Sequence, residues 1–312
     1  MVVKDEIRNV ESCLAPICHL CDEIIIVDTG STDGTPELIR AKFNIDVLHR
    51  RLEERRCLTK ADVRNLAFSR VRTDWILHID ADERVDPRSL LAFREHRHSS
   101  DVAGYFGLWR NHVGDEEPFD DYKCFIFRRN LKSRGLVHSN VQGDIREKAS
   151  RAQWFPQMRV DHYPDSRQAD LKTTLYKKRL ICALQHEPHW HRYNWFLGYT
   201  QFQCGEWDSA LSNLRLAFEA QSSFFPVERL NSAMVQAEIL CATEQPRQAL
   251  EILLRARTFW SVVREDFEVD INFRMKPWID DAISLIRLSL IHICPRPPPG
   301  CPRPSRRRYL GG

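Results

Sequence analysis

The chain has 312 residues, enough for two domains or for one domain with a large extension. Hydrophobic residues make up 43% and aromatic residues 10%, a balance that excludes a disordered chain and indicates a packed core. The formal charge of +3 owes everything to five arginines within residues 288–312, and removing them takes it to −2, so the body carries no net-charge footprint for nucleic acid.

No apolar run approaches the roughly 20 residues of a membrane span, and the amino terminus lacks a signal-peptide core. The ten cysteines are irregularly spaced. Cys18-His19-Leu20-Cys21 has the CxxC form, but no second CxxC or histidine pair follows at zinc-ribbon spacing, so it is read as the buried end of the first helix. Reduced cysteines and the missing export signal point to the cytoplasm.

In chain order, Glu23–Asp28 is an apolar strand that enters the turn-rich segment Thr29-Gly30-Ser31-Thr32-Asp33-Gly34-Thr35 and then a helix over 36–43. A short strand follows at 45–49, and an amphipathic helix at 59–70. The strand at 75–80 ends abruptly in Asp80-Ala81-Asp82-Glu83, and a helix starts near Pro87. This alternation predicts an α/β fold with a mainly parallel, Rossmann-like sheet covered on both faces. Runs at 104–110 and 122–128 are expected to complete the sheet, perhaps as antiparallel members.

Beyond about Leu171 the pattern is helical throughout. Leu197-Gly198, Gly205, Trp207, Ala210 and Ala217 occupy positions 7, 8, 15, 17, 20 and 27 of a 34-residue tetratricopeptide pattern, and Ala237, Ala249 and Ala256 repeat positions 8, 20 and 27 in a second unit 39 residues on. Small residues at these places let paired helices approach closely. The aromatics Trp190, Trp195, Tyr199 and Phe202 are candidates for a binding surface, though at helical spacing core is the commoner role. Leu288–Ile293 resembles the translation of a sequencing adapter and leads into an aperiodic Pro/Arg-rich run. Residues 288–312 are therefore read as a disordered read-through tail, implying that the natural chain continues past Arg287. The expected organisation is a catalytic domain over 1–165, a tetratricopeptide-like domain over 171–287, and this tail.

Ligands of parallel α/β sheets bind outside the carboxyl ends of the strands, where three groups converge. The Asp28–Thr35 loop opens a helix and offers backbone N–H groups, hydroxyls and two carboxylates; ordinary capping explains the same residues equally well. Asp80, Asp82 and Glu83 crowd three carboxylates into four residues, which costs repulsion unless a cation or ligand donors neutralise them. Such oxygen ligands suit Mg²⁺ or Mn²⁺. Arg64, on the polar side of its helix, is placed to reach a diphosphate.

Together, Val3–Glu6, the stretch IIIVDTGSTDGT and the stretch ADVRNLAFSRVRTDWILHIDADE resemble glycosyltransferase family 2, in the branch that carries tetratricopeptide-like helices behind the catalytic domain. The resemblance implies a metal-assisted inverting transfer from a nucleoside-diphosphate sugar to a saccharide, lipid-linked or peptide acceptor. It implies Asp28, Gly30, Ser31 and Asp33 at the nucleoside, Arg64 near the nucleotide, Asp80 facing ribose and diphosphate, and Asp82 on the metal. His138 or His162 would assist with metal or diphosphate. Two positions depart from the family pattern: Ser139 stands where glutamate is usual and Phe125 where arginine is usual. The acceptor-side base is read as Asp121, with Asp120 and Asp144 as alternatives. Partners on the helical repeats and a peripheral membrane location fit the same reading. The competing reading is a non-catalytic nucleotide-binding scaffold that binds peptides through its repeats.

Overall fold

The computed structural model describes residues 1–50, 60–114, 116–148, 150–164, 169–220, 225–263 and 275–291, and the statements below refer to these. The chain forms two compact units, Met1–Asp170 and Leu171–Gly312.

In the first unit, β1 (Val2–Val3), β2 (Ile26–Asp28) and β3 (Val47–His49) form a parallel sheet in that order, with Val3, Asp28 and His49 in register at their carboxyl ends. The crossovers carry α1 (Val10–Leu14) and α2 (Thr35–Phe43). Val3, Val10, Leu14, Ile26, Ile39 and Val47 bury their side chains together, the apolar side of the βα alternation seen in the sequence. The helix α3 (Lys60–Arg70) follows. Within the described residues α1 stops at Leu14, and the CxxC segment is a separate 3₁₀ turn, Cys18–Leu20, whose two cysteines are half-buried free thiols.

The strand at Trp75 does not continue the parallel sheet. As β4 (Trp75–Leu77) it joins a second, five-stranded sheet with β5 (Glu83–Val85), β6 (Val102–Asn111), β7 (Phe119–Arg128) and β8 (Arg151–His162), in the order β4-β7-β6-β8-β5. Its β6–β8 pair is parallel and its other pairs antiparallel. Between β5 and β6 lies α4 (Pro87–Glu95), started by Asp86, whose carboxylate accepts from the Arg88 N–H. Between β7 and β8 lies the short α5 (Gln142–Glu147). Sequence periodicity misses β5, which is only three residues long and two of them charged. It misses β8 because the strand is interrupted: the register with β6 jumps from Phe106↔Trp154 to Leu108↔Arg159. Pro156, which has no N–H to give a ladder, sits in that irregularity.

The second unit is helical: α6 (Ala169–His186), α7 (His191–Gln203), α8 (Trp207–Glu219), α9 (Pro226–Ala242), α10 (Pro246–Val263) and α11 (Met275–Ile291). The small residues do what their spacing implies. Ala210, Ala217, Ala249 and Ala256 are wholly buried, and a Cβ on Gly198 would stand 2.8 Å from Leu214 Cγ and 3.1 Å from the Ala210 carbonyl. Trp195 and Tyr199 stack on each other inside the α7–α8–α9 core and are not a surface. The helix α11 runs on through Leu288–Ile291; the rest of the expected tail, 292–312, lies outside the described residues. No helix among the described residues is long and apolar enough to cross a membrane.

The close α7–α8 approach gives a direct test. Gly198→Val should lower the stability of the helical unit by about 1–3 kcal/mol, the usual cost of overpacking a tight contact, read by urea unfolding. An unchanged midpoint would show that the two helices are not packed as closely as described.

Candidate functional site

The loop after β2 is held by its own carboxylates. Asp28, 3% exposed, accepts from the N–H groups of Gly30 (2.9 Å) and Ser31 (3.1 Å) and from the Ser31 hydroxyl. The turn that aims both N–H groups back at Asp28 passes through Gly30 at φ +110°, a conformation glycine adopts without strain. Burial works against ionisation of Asp28, yet the bonds from Ser31 and Gly30 hold its carboxyl below the usual range. Asp33 accepts from the Thr35 N–H (2.9 Å) and hydroxyl (2.6 Å) at the start of α2, and from the Ile7 N–H (3.0 Å). Asp5 reaches over to accept from the Thr32 N–H (2.7 Å). The loop is thus stapled to the segment after β1, and the Asp28 and Asp33 carboxylates act as caps. Gly30 and Ser31 form the half-buried edge of this loop, with their N–H groups turned to Asp28 and the Ser31 hydroxyl shared between Asp28 and the Asp5 N–H.

The acidic cluster is a tight turn. The Glu83 N–H donates to the Asp80 carbonyl (3.1 Å), and the Glu83 carboxylate reaches back to accept from the Asp80 N–H (2.8 Å). Its repulsion is relieved by the protein itself. Lys123 Nζ lies 2.6 Å from Glu83 Oε1 and 3.4 Å from Asp80 Oδ2, and Arg64 Nη2 lies 3.4 Å from Asp80 Oδ1. Although burial opposes it, Lys123 and Arg64 hold the Asp80 carboxyl well below the ordinary range. Glu83, fully buried, is pushed up by desolvation, which Lys123 offsets in part. Arg64 is only 9% exposed, and its other arm donates to the Ser139 carbonyl (2.7 Å) and hydroxyl (3.0 Å). Ser139, where the family pattern has glutamate, is therefore the anchor of the arginine. The neighbouring Asn65 exchanges two bonds with the Ser133 backbone, fixing α3 against the same segment.

Asp82 meets an imidazole, and it is that of His162. His162 Nε2 lies 3.2 Å from Asp82 Oδ2, and its Nδ1 lies 2.8 Å from Asn111 Oδ1. Asn111 Nδ2 donates to the Trp109 carbonyl (3.2 Å), so its Oδ1 is the acceptor and His162 Nδ1 carries a proton. Nε2 is left facing Asp82 Oδ2, and that contact is closed by a proton on Nε2 or by a cation held between the two groups. Two ligands of an octahedral Mg²⁺ or Mn²⁺ ion at about 2.1 Å stand about 3 Å apart on one edge, so this pair fits the ion. Among the described residues no cluster of three or more His, Cys, Asp or Glu is arranged for a metal. A Mg²⁺-type site with one or two protein ligands draws the rest from substrate phosphates and water. His138 sits at φ +52° next to Ser139, on the Arg64 side of the cluster.

Alternation along β7 sorts the candidate bases. Asp121 and Lys123 lie on one face of the strand, and Asp121 is paired directly with Trp109 of β6. Trp109 stacks on His162 at 4.6 Å, and Lys123 lies 5.4 Å from the Trp109 ring centroid. Asp121 thus shares the sheet face of the Asp82 cluster. Asp120 points to the other face, in a two-bond pair with Arg110. Asp144, 1% exposed, is saturated by the Lys132 N–H, Arg134 and Lys148.

Sequence reasoning missed Lys123, Asn111 and the tethering roles of Glu83 and Ser139. For Lys123 a signal existed: it stands two residues from Asp121 and two from Phe125 in an alternating strand.

Residues 1–146 match the family described as Glycosyl transferase family 2. A TPR repeat-containing protein of Synechococcus elongatus is 36% identical over 165 residues, which cover 53% of this chain and 39% of that protein; the chain spans about two fifths of its length. Among solved structures, S. aureus TarS 1–349 in complex with UDP is similar at 13% identity and a TM-score of 0.44, covering 85% of this chain and 90% of TarS 1–349. A second structure of S. aureus TarS 1–349 gives 13% identity and a TM-score of 0.39, covering 93% of this chain and 89% of that one.

The capping role of Asp28 is measurable. Asp28→Asn should cost about 1–2 kcal/mol at pH 7 in urea unfolding, since a buried charged acceptor of several donors is lost. Because the folded carboxyl is held low, its contribution is complete above the unfolded pKa near 4 and disappears as pH falls through the folded value. The gap between variant and parent should therefore narrow from pH 5 toward pH 3; a constant gap would refute the ionised-cap assignment.

Proposed function

We propose that this chain, whose residues 1–146 match glycosyl transferase family 2, moves a sugar from a nucleoside-diphosphate sugar to an acceptor hydroxyl with inversion at the anomeric carbon. The Asp82–His162 pair, set beside an Asp80 already balanced by protein cations, carries this reading. Asp82 is the acid of the turn left to His162, while Asp80 and Glu83 face Lys123 and Arg64.

The nucleoside lies against the Gly30–Ser31 rim. Asp80 accepts from the ribose, while Arg64 is aimed at the diphosphate side of the cluster. Asp82 and His162 hold Mg²⁺ or Mn²⁺ together with the donor's phosphates. Bound there, the divalent ion supplies Lewis-acid stabilisation of the charge that builds on the departing diphosphate. Asp121, on the same sheet face, takes the proton of the attacking hydroxyl. The caps of the Asp28–Thr35 loop keep the rim rigid, so that donor orientation is set before the acceptor arrives. The acceptor is a saccharide, free, lipid-linked or on a protein, and the helical repeats offer a surface for a protein partner. A cytoplasmic setting at the membrane periphery suits such acceptors.

The reading is tested with a panel of nucleotide sugars and MnCl₂, following release of nucleoside diphosphate with and without saccharide acceptors. Asp82→Asn should reduce turnover by about 10²–10³-fold, with the circular dichroism of the helical unit unchanged. Donor binding without turnover in the parent protein, across the whole panel, would instead favour a nucleotide-binding scaffold.

The base assignment has its own signature. Asp121→Asn should lower kcat for transfer by about 10²–10⁴-fold while leaving the affinity for donor and Mn²⁺ within about twofold. Equal loss of donor affinity would move Asp121 out of the acceptor side.

A further inference from the structure

Lys123 has no part in the transfer steps above, yet its surroundings are built around it. Its side chain is 21% exposed, and its ammonium lies 5.4 Å from the ring centroids of both Trp109 and Phe125. An ammonium so far from water is costly unless it is matched by charge and hydrogen bonds. The match is Glu83 at 2.6 Å, with Asp80 at 3.4 Å. Glu83 in turn splits its two oxygens: Oε1 faces Lys123, and Oε2 accepts from the Asp80 N–H at 2.8 Å. That second bond and the Glu83 N–H bond to the Asp80 carbonyl close the four-residue turn from both ends. Asp82 sits inside that closed turn, and its backbone carbonyl accepts from the Tyr163 N–H at 2.9 Å, next to His162. The direction of the Asp82 carboxylate is therefore set by a chain of contacts that begins at Lys123.

We infer that Lys123 is a positioning residue of the donor site: it is the resident counter-ion of Glu83, and through Glu83 it keeps the Asp80–Glu83 turn closed so that Asp82 meets His162. The inference rests on the donor-site reading above. It differs from a direct role on the diphosphate, because a lysine that only contacted phosphate would be missed equally whatever occupied position 83. A positioning lysine becomes dispensable once residue 83 no longer carries a charge. Glutamine at 83 keeps an oxygen for the Asp80 N–H without needing a counter-ion.

The test is a four-protein cycle of the parent, Lys123→Met, Glu83→Gln and the double variant, titrated by calorimetry with Mn²⁺ and UDP, GDP, ADP or CDP. Lys123→Met should weaken Mn²⁺–nucleotide binding by about 10–100-fold, the usual cost of losing a group that orients a metal ligand. The double variant should recover to within about threefold of the parent. A double variant as weak as Lys123→Met, or a Lys123→Met protein that binds like the parent, overturns the inference. If the parent binds none of the four diphosphates, the donor-site reading fails on its own, and urea unfolding of the same four proteins decides the pairing. Non-additive midpoints would then support a Lys123–Glu83–turn unit, and additive ones would overturn it.

Discussion

The first unit depends on one act of charge cancellation. Asp80 and Glu83 bring two carboxylates into the turn between β4 and β5, where unit charges about 4 Å apart interact by about 4 kcal/mol at the dielectric typical of protein sites. Arg64 comes from α3 and Lys123 from β7, so the neutralising charges belong to two elements far apart in sequence. Folding the turn correctly therefore requires the second sheet to be assembled and α3 to be docked. The site is a product of tertiary structure and does not exist in the local segment.

That cancellation also divides labour among the carboxylates. Asp28 and Asp33 spend their lone pairs mainly on N–H groups and hydroxyls of their own loop, with Ile7 and His49 as partners from outside it, Glu83 on Lys123 and the turn, and Asp144 on three basic or backbone donors. Asp82 is different because its partner is an imidazole whose far nitrogen is already committed to Asn111. Within this cluster Asp82 is set apart by its partner, not by its position in an Asp-x-Asp pattern. Asp121 and Asp120 are separated by strand alternation, since one residue along β7 is a change of sheet face.

Much of this was legible in the sequence, for stated physical reasons. The βα alternation exposes β2, α2 and α3, because each is one unbroken apolar period, and the small residues of the repeat unit report helix approach directly. The acidic strand end announces itself as a place where charge has to be answered. What the sequence conceals is which groups answer it. Lys123 lies 40 residues beyond Glu83, and Ser139 lies 75 residues beyond Arg64, so neither pairing leaves a local pattern. The second sheet is hidden for a related reason. Its edge strand β5 is too short to show a period, and β8 breaks its alternation at Pro156, yet His162 reaches Asp82 only because β8 runs parallel beside β6 to its end.

The departures from the family pattern then take on meaning together. A serine at 139 offers a carbonyl and a hydroxyl to Arg64 in place of a carboxylate, so the arginine is anchored there without losing charge to a salt bridge. Its positive charge is left for Asp80 and the space beyond it. Phe125, where an arginine is usual, forms an apolar wall for Lys123 two residues earlier on the strand. Lys123 and Arg64 thus reach the acidic turn from two elements, one committed mainly to Glu83 and the other shared between Ser139 and Asp80.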